Sequence, residues 1–144
     1  MQYRGFTRQA RKVMRIAERL AEKEQQLRMG SEYILAGLLQ ENDGVAGQIL
    51  QQLSVNCEEI LTLIHEISLP KTEEQVADGD FLTPESRAIV EEAYAVAERF
   101  DSELVGTEHL LFSIIEHRTS AAARMLLAMN INLGKVYADI LAAM

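Results

Sequence analysis

Displaced by 76 residues, the chain lies on itself. Residues 6–65 align with 82–141 without a gap, and twelve of the sixty positions are identical, among them Thr7/Thr83, Arg11/Arg87, Gly30/Gly106, Glu32/Glu108, Leu50/Leu126 and Asn56/Asn132. Other pairs keep their character, as in Val13/Ile89, Ser31/Thr107, Leu38/Ile114 and Ile60/Val136. A gapless register of this kind marks a duplication. Each copy is then one supersecondary unit that buries its apolar face against a neighbour.

The apolar spacing within each copy is helical throughout. Ala10, Val13, Met14, Ala17, Leu20 and Ala21 recur at i, i+3, i+4 and i+7, as do Ile89, Val90, Ala93, Val96, Ala97 and Phe100. Thr7 and Thr83 precede these runs as N-caps, and Pro84 suits a first helical position, where an amide has no intrahelical partner. Ser31 and Thr107, each after a glycine, are expected to cap second helices running to about Glu41 and His117. Asp43 and Ser120 are expected to start short third helices through Leu53 and Met129, with Val45, Ala46, Ile49, Leu50 and Ala122, Met125, Leu126 facing inward. Asn56, with Glu59 three residues on, and Asn132 cap the fourth, which bury Ile60, Leu63, Ile64 and Val136, Ile140, Leu141.

The expectation is therefore an all-α fold: two tandem four-helix repeats, 6–67 and 82–144, related by a pseudo-two-fold axis and packed into one domain, 1–144. The charged, proline- and glycine-containing stretch 68–81 reads as a linker over the surface. At 144 residues, such a chain suits one domain and buries roughly 70% of the surface its unfolded form exposes. A hydrophobic share of 48% against 25% charged is globular rather than disordered.

Cys57 is the only cysteine, so no intrachain disulfide can form, and no Cys/His cluster at zinc spacing exists. With no apolar leader at the N-terminus and no membrane-length apolar run, the expected compartment is the cytoplasm. The net charge is −8, unevenly spread: residues 1–29 carry eight Lys/Arg and three acids, a local +5 that leaves −13 elsewhere. An acidic body argues against a broad nucleic-acid surface, because phosphate binding rests on many cations. The basic stretch itself reads as a solvated helix face that could attract an anion.

Catalytic patterns are missing. The chain has no phosphate loop, no G-x-G-x-x-G, no H-E-x-x-H and no G-x-S-x-G, so it reads as a binding module with no catalytic residues, no metal and no cofactor of its own. His109 and His117, eight residues apart on one helix, stand about 12 Å apart along the axis, too far to share a metal, and capping or surface roles suit them. His65 is isolated. A helix start lowers a thiol's pKa, but without a partner in sequence Cys57 reads as structural.

What the duplication kept is Thr7 with Gly30-Ser31-Glu32, and Thr83 with Gly106-Thr107-Glu108. A hydroxyl at a helix start, with free amides and the positive end of the dipole behind it, is an anion site, and a carboxylate beside it can pair with a guanidinium through two parallel hydrogen bonds. Ordinary helix capping accounts for the same residue types, so the residues alone leave both readings open.

Over essentially its whole length the chain resembles the N-terminal double-repeat domain of the Clp ATPases, most closely the ClpC type. The resemblance rests on Phe6-Thr7 and Leu82-Thr83-Pro84 opening the repeats, and on Gly-Ser-Glu-Tyr-Ile-Leu-Ala-Gly-Leu at 30–38 and Gly-Thr-Glu-His-Leu-Leu-Phe-Ser-Ile at 106–114. It implies a substrate- and adaptor-binding regulatory domain on a hexameric unfoldase that feeds a ClpP-type protease in stress-related protein degradation, with ATP and Mg in the parent's ATPase modules. It further implies recognition of phosphoarginine, one site per repeat: Glu32 and Glu108 meet the guanidinium, while Thr7, Thr83 and the helix starts at Gly30-Ser31 and Gly106-Thr107 hold the phosphate. Tyr33 stands where the family has a histidine, Ser113 where it has a glycine, and His117-Arg118-Thr119-Ser120 replaces an acidic, glycine-containing turn, which points to a different adaptor. The alternatives are the N-domain of a ClpB-type disaggregase, gripping exposed apolar segments, and a free-standing binding protein without an ATPase. No nucleic acid or membrane partner is expected, and the isolated domain is expected to be a monomer.

Overall fold

A computed structural model describes residues 3–67 and 81–144, so the expected linker lies, except for Phe81, outside the described residues. Eight α-helices occupy the described residues: α1 Arg8–Lys23, α2 Ser31–Gln40, α3 Val45–Gln52, α4 Cys57–Ile67, α5 Pro84–Arg99, α6 Thr107–Glu116, α7 Ala121–Ala128 and α8 Leu133–Ala143. Each helix of the second set begins 76 residues after its counterpart in the first. The duplication read from sequence is therefore also the architectural repeat.

Helix starts follow the expected chemistry in most places. Thr7 Oγ1 accepts from the Ala10 amide at 3.1 Å and Thr83 Oγ1 from Ser86 at 3.1 Å. Ser120 and Asn132 cap α7 and α8 in the same way, and Asn56 Oδ1 accepts from Glu58 and Glu59. Helix ends match as well. Gln25, Ser54, Asp101 and Asn130 all take positive φ, between 55° and 62°, and form two pairs at the repeat offset. After each, an amide reaches back to close the last turn, as when Val55 donates to Leu50 at 2.9 Å.

The start of α3 differs from expectation. Gly44, not Asp43, is the N-cap of α3, and it carries no side chain to cap with. The buried Glu41 carboxylate takes over, accepting from the Asp43 and Gly44 amides at 3.0 Å each. One burial assignment also fails: Leu141 is 39% exposed, next to the fully buried Ile140. Phe100, the last of the apolar positions of α5, is the C-cap of that helix and is 38% exposed.

The two repeats share a single core. Helices α2 and α6 are apolar nearly all round, with eight of ten residues buried in each, as a central helix requires. α1 packs on α2 and α5 on α6 as antiparallel hairpins, and α2 and α6 also touch helices of the other repeat. Two isolated parallel bridges join the repeats, Phe6 to Val105 and Met29 to Leu82, and they too are related by the repeat offset. Among the described residues there is no strand.

Candidate functional site

The bridges decide which of the expected residues come together. The Thr7 amide donates to Val105 O at 2.9 Å, and the Val105 amide to Gly5 O at 2.7 Å. Symmetrically, the Thr83 amide donates to Met29 O at 3.1 Å, and the Met29 amide to Phe81 O at 2.6 Å. Thr7 therefore stands beside Gly106-Thr107-Glu108, and Thr83 beside Gly30-Ser31-Glu32. This corrects the pairing within each repeat expected from the sequence. Thr7 caps the start of α1, whereas Gly30 comes after its far end, so that a sixteen-residue helix, roughly 24 Å long at 1.5 Å per residue, runs between them. Both sites are composite, each built from the two repeats.

Ser31 and Thr107 are not the caps of their own helices. Gly30 and Gly106 are the N-caps, and the hydroxyls sit one residue inside. Each hydroxyl instead caps a helix of the other repeat. Ser31 Oγ accepts from the Ala122 amide of α7 at 3.0 Å, and Thr107 Oγ1 from the Ala46 amide of α3 at 3.2 Å. The glycines have a different purpose: a Cβ at Gly30 would overlap the carboxylate of Glu32, and one at Gly106 that of Glu108. Glycine lets each glutamate fold back over its own helix start, where the dipole favours a negative charge. His109 completes the α6 start, its Nδ1 accepting from the Gly106 amide at 2.8 Å. Burial lowers the pKa of this imidazole against the opposing pull of Glu108, in keeping with an unprotonated Nδ1. Its role is capping. His117 does likewise at the other end of α6, with Nδ1 2.8 Å from Ser113 O.

Two residues of the Thr83 site escaped the sequence reading. Ser86 Oγ, fully buried, donates to Met29 O at 2.6 Å and lies 2.9 Å from Thr83 Oγ1. Glu85 Oε1 accepts from Ser31 Oγ at 2.7 Å and from the Ala121 amide, the first of α7, at 2.9 Å. The Glu32 carboxyl is pushed up to about 7, first by burial and then by the negative charge of Glu85, against the help of its own backbone amide. The sequence did carry a signal: two residues after the shared threonine, Glu85 stands opposite Gln9.

The Thr7 site is electrostatically different. Gln9 lines, with Arg8, Lys12, Arg15, Glu41 and Asp43, an open cavity of about 490 Å³ beside the turn into α3. Lys12 Nζ lies 3.2 Å from Glu41 Oε2 and balances that buried carboxylate. Elsewhere, the Cys57 thiol is raised rather than lowered, because burial outweighs the hydrogen bond from Gln40 at this helix start. Among the described residues no cluster of His, Cys, Asp or Glu is placed to hold a metal ion, and no helix is long and apolar enough to cross a membrane.

Comparison with known proteins places this geometry in a family. The model of the Clp repeat N-terminal domain matches residues 5–129 and again 80–143. The negative regulator of genetic competence ClpC/MecB of Bacillus subtilis is 30% identical over 141 residues, covering 98% of this chain and 17% of that protein. The chaperone protein ClpB of Oceanobacillus iheyensis is 29% identical over 141 residues with the same coverage. The chain thus spans about a sixth of the length of these relatives. A solved complex of the ClpV N-domain with a VipB peptide has the same fold, with a TM-score of 0.69 at 14% identity over 95% of this chain and 89% of that one. The duplicated helices, the paired Gly-x-Glu starts and these matches agree: the chain belongs to the Clp repeat N-terminal domain family.

Proposed function

We propose that this domain receives adaptors and protein substrates for a ClpC-type unfoldase working with a ClpP-type protease, and that it recognises arginine phosphorylation on its clients. The observation that carries the reading is the composite site, in which the N-cap of one repeat meets the Gly-x-Glu start of the other. Such a site brings opposite chemistries together. A carboxylate, Glu108 or Glu32, suits a guanidinium through paired hydrogen bonds. A helix start at Thr7 or Thr83 suits a phosphoryl group through backbone amides and the dipole. Phosphoarginine carries both groups on one side chain. The peptide held by the ClpV N-domain supports peptide binding by this domain as well.

Titration of the domain with a phosphoarginine peptide tests this. Saturable binding is expected, lost in a Glu32→Ala/Glu108→Ala double variant that keeps its melting temperature. Undiminished binding in that variant overturns the assignment. A second reading, the N-domain of a ClpB-type disaggregase, has the comparable similarity to a ClpB chaperone in its favour. It expects an unfolded apolar peptide to bind more tightly than the phosphorylated one.

A further inference from the structure

We infer that the two composite sites are not equivalent: Glu85 fills the anion seat of the Thr83 site with its own carboxylate, so only the Thr7 site takes the ligand's anionic group, and the domain engages one phosphorylated arginine at a time. This rests on the phosphoarginine reading above and sharpens it.

The duplication supplies an internal control, because every group in one seat has a counterpart in the other. In the Thr83 site the Ser31 hydroxyl and the first amide of α7, from Ala121, both point at the Glu85 carboxylate. These donors hold an anion already. The corresponding donors in the Thr7 site are Thr107 and the first amide of α3, from Val45. Residue 9, which would have to deliver the carboxylate, is Gln9, exposed and uncharged. The cavity beside it is lined by Arg8, Lys12 and Arg15, set against Asp43 and the Lys12-paired Glu41. Glu85 thus delivers a carboxylate to these donors on one side, whereas on the other residue 9 delivers none, Glu41 is taken up by the Asp43 and Gly44 amides and by Lys12, and the neighbouring cavity carries three cations against two acids.

Two more differences act in the same direction. Pro84 removes an amide from the first turn of α5 that Arg8 provides in α1. A phosphoryl group at the Thr83 site would also face Glu85 and Glu32 together, and like charges in a half-buried site repel. At the Thr7 site residue 9 adds no carboxylate to Glu108, and the nearby Glu41 carboxylate is paired with Lys12.

The test is a titration of the whole 144-residue chain with a peptide bearing a single phosphoarginine, read by amide chemical shifts and calorimetry. In the natural chain the amides of Arg8, Val45 and Thr107 are expected to shift, those of Ser31 and Ala121 to stay, and the stoichiometry to be one. Glu85→Gln and Glu85→Ala, the latter emptying the seat altogether, are expected to bring Ser31 and Ala121 into the response and raise the stoichiometry to two. Gln9→Glu is expected to weaken binding at least tenfold. Both sets of amides responding in the natural chain, or a stoichiometry that stays at one in both well-folded Glu85 variants, overturns the inequivalence alone. If neither set responds in the natural chain or the variants, the phosphoarginine reading fails and this inference falls with it.

Discussion

Glu32 shows how one carboxyl couples site and stability. Its pKa in the folded chain is about 7 against 4.5 for an unperturbed glutamate. Between those values the folded state holds a proton that the unfolded chain has released. Stability from this group is therefore greatest below pH 4.5, falls as pH rises through the window, and levels off above 7. At about 1.4 kcal/mol per pH unit the effect is at most about 3–4 kcal/mol. Denaturant titrations are expected to show that the chain loses stability between pH 5 and 7.5, and that Glu32→Gln removes most of that loss. Glu85→Gln should shrink it too, by removing the second cause of the shift, and an unchanged pH profile in Glu32→Gln would show that another group is responsible. From the sequence, Glu32 and Glu108 were legible as carboxylates kept by the duplication. Their environments were not, because burial and the Glu85 charge reach Glu32 from the other repeat.

Helix borders were legible wherever the capping group is local. Thr7, Thr83, Ser120 and Asn132 bond to amides three residues on, a spacing that sequence displays directly. Ser31 and Thr107 were misassigned because their partners lie 91 and 61 residues away. The same contrast separates Gly37 from Ser113, the equivalent positions of α2 and α6. A Cβ at Gly37 would stand 2.6 Å from the Val13 carbonyl oxygen, whereas Ser113 Oγ donates to the carbonyl of Ile89, the counterpart of Val13, at 2.7 Å. One hairpin closes by backbone contact and the other by a hydrogen bond. Gly37→Ala is thus expected to cost about 1–3 kcal/mol by overpacking, and Gly37→Ser less, since its hydroxyl can donate to Val13 as Ser113 does to Ile89. Melting curves of the two variants rank them, and equal losses would sink the equivalence. At the helix ends, Ser54 adopts φ +62°, a conformation that costs a non-glycine residue roughly 1–2 kcal/mol, partly offset by the greater freedom of unfolded glycine. Ser54→Gly is accordingly expected to stabilise the chain by up to about 1 kcal/mol, read from the same melts.

At the scale of the whole chain the repeats interlock rather than abut. Each half supplies the hydroxyl that caps a short helix of the other, through Ser31 to α7 and Thr107 to α3. Each also contributes one side of the two bridges, and each buries its apolar second helix partly against the partner repeat. The duplication made a shared core legible, but it could not reveal that caps and sites are exchanged between copies, since a gapless self-alignment is the same whether partners lie within or across repeats. An isolated half would expose the inward side of α2 or α6, leave the Ala46 amide of α3 or the Ala122 amide of α7 without its cross-repeat hydroxyl, and break both composite sites at once. Peptides covering 1–67 and 82–144 are therefore expected to show little helicity by circular dichroism as monomers, or to associate in sedimentation. The whole chain is expected to unfold in one transition, with helicity and tyrosine fluorescence changing together. Mixing the halves should restore helicity, because every exchanged contact is then available again. A monomeric half with native-like helicity would mean that the repeat, not the pair, is the folding unit, and the composite sites would then have to form by docking of two finished bodies.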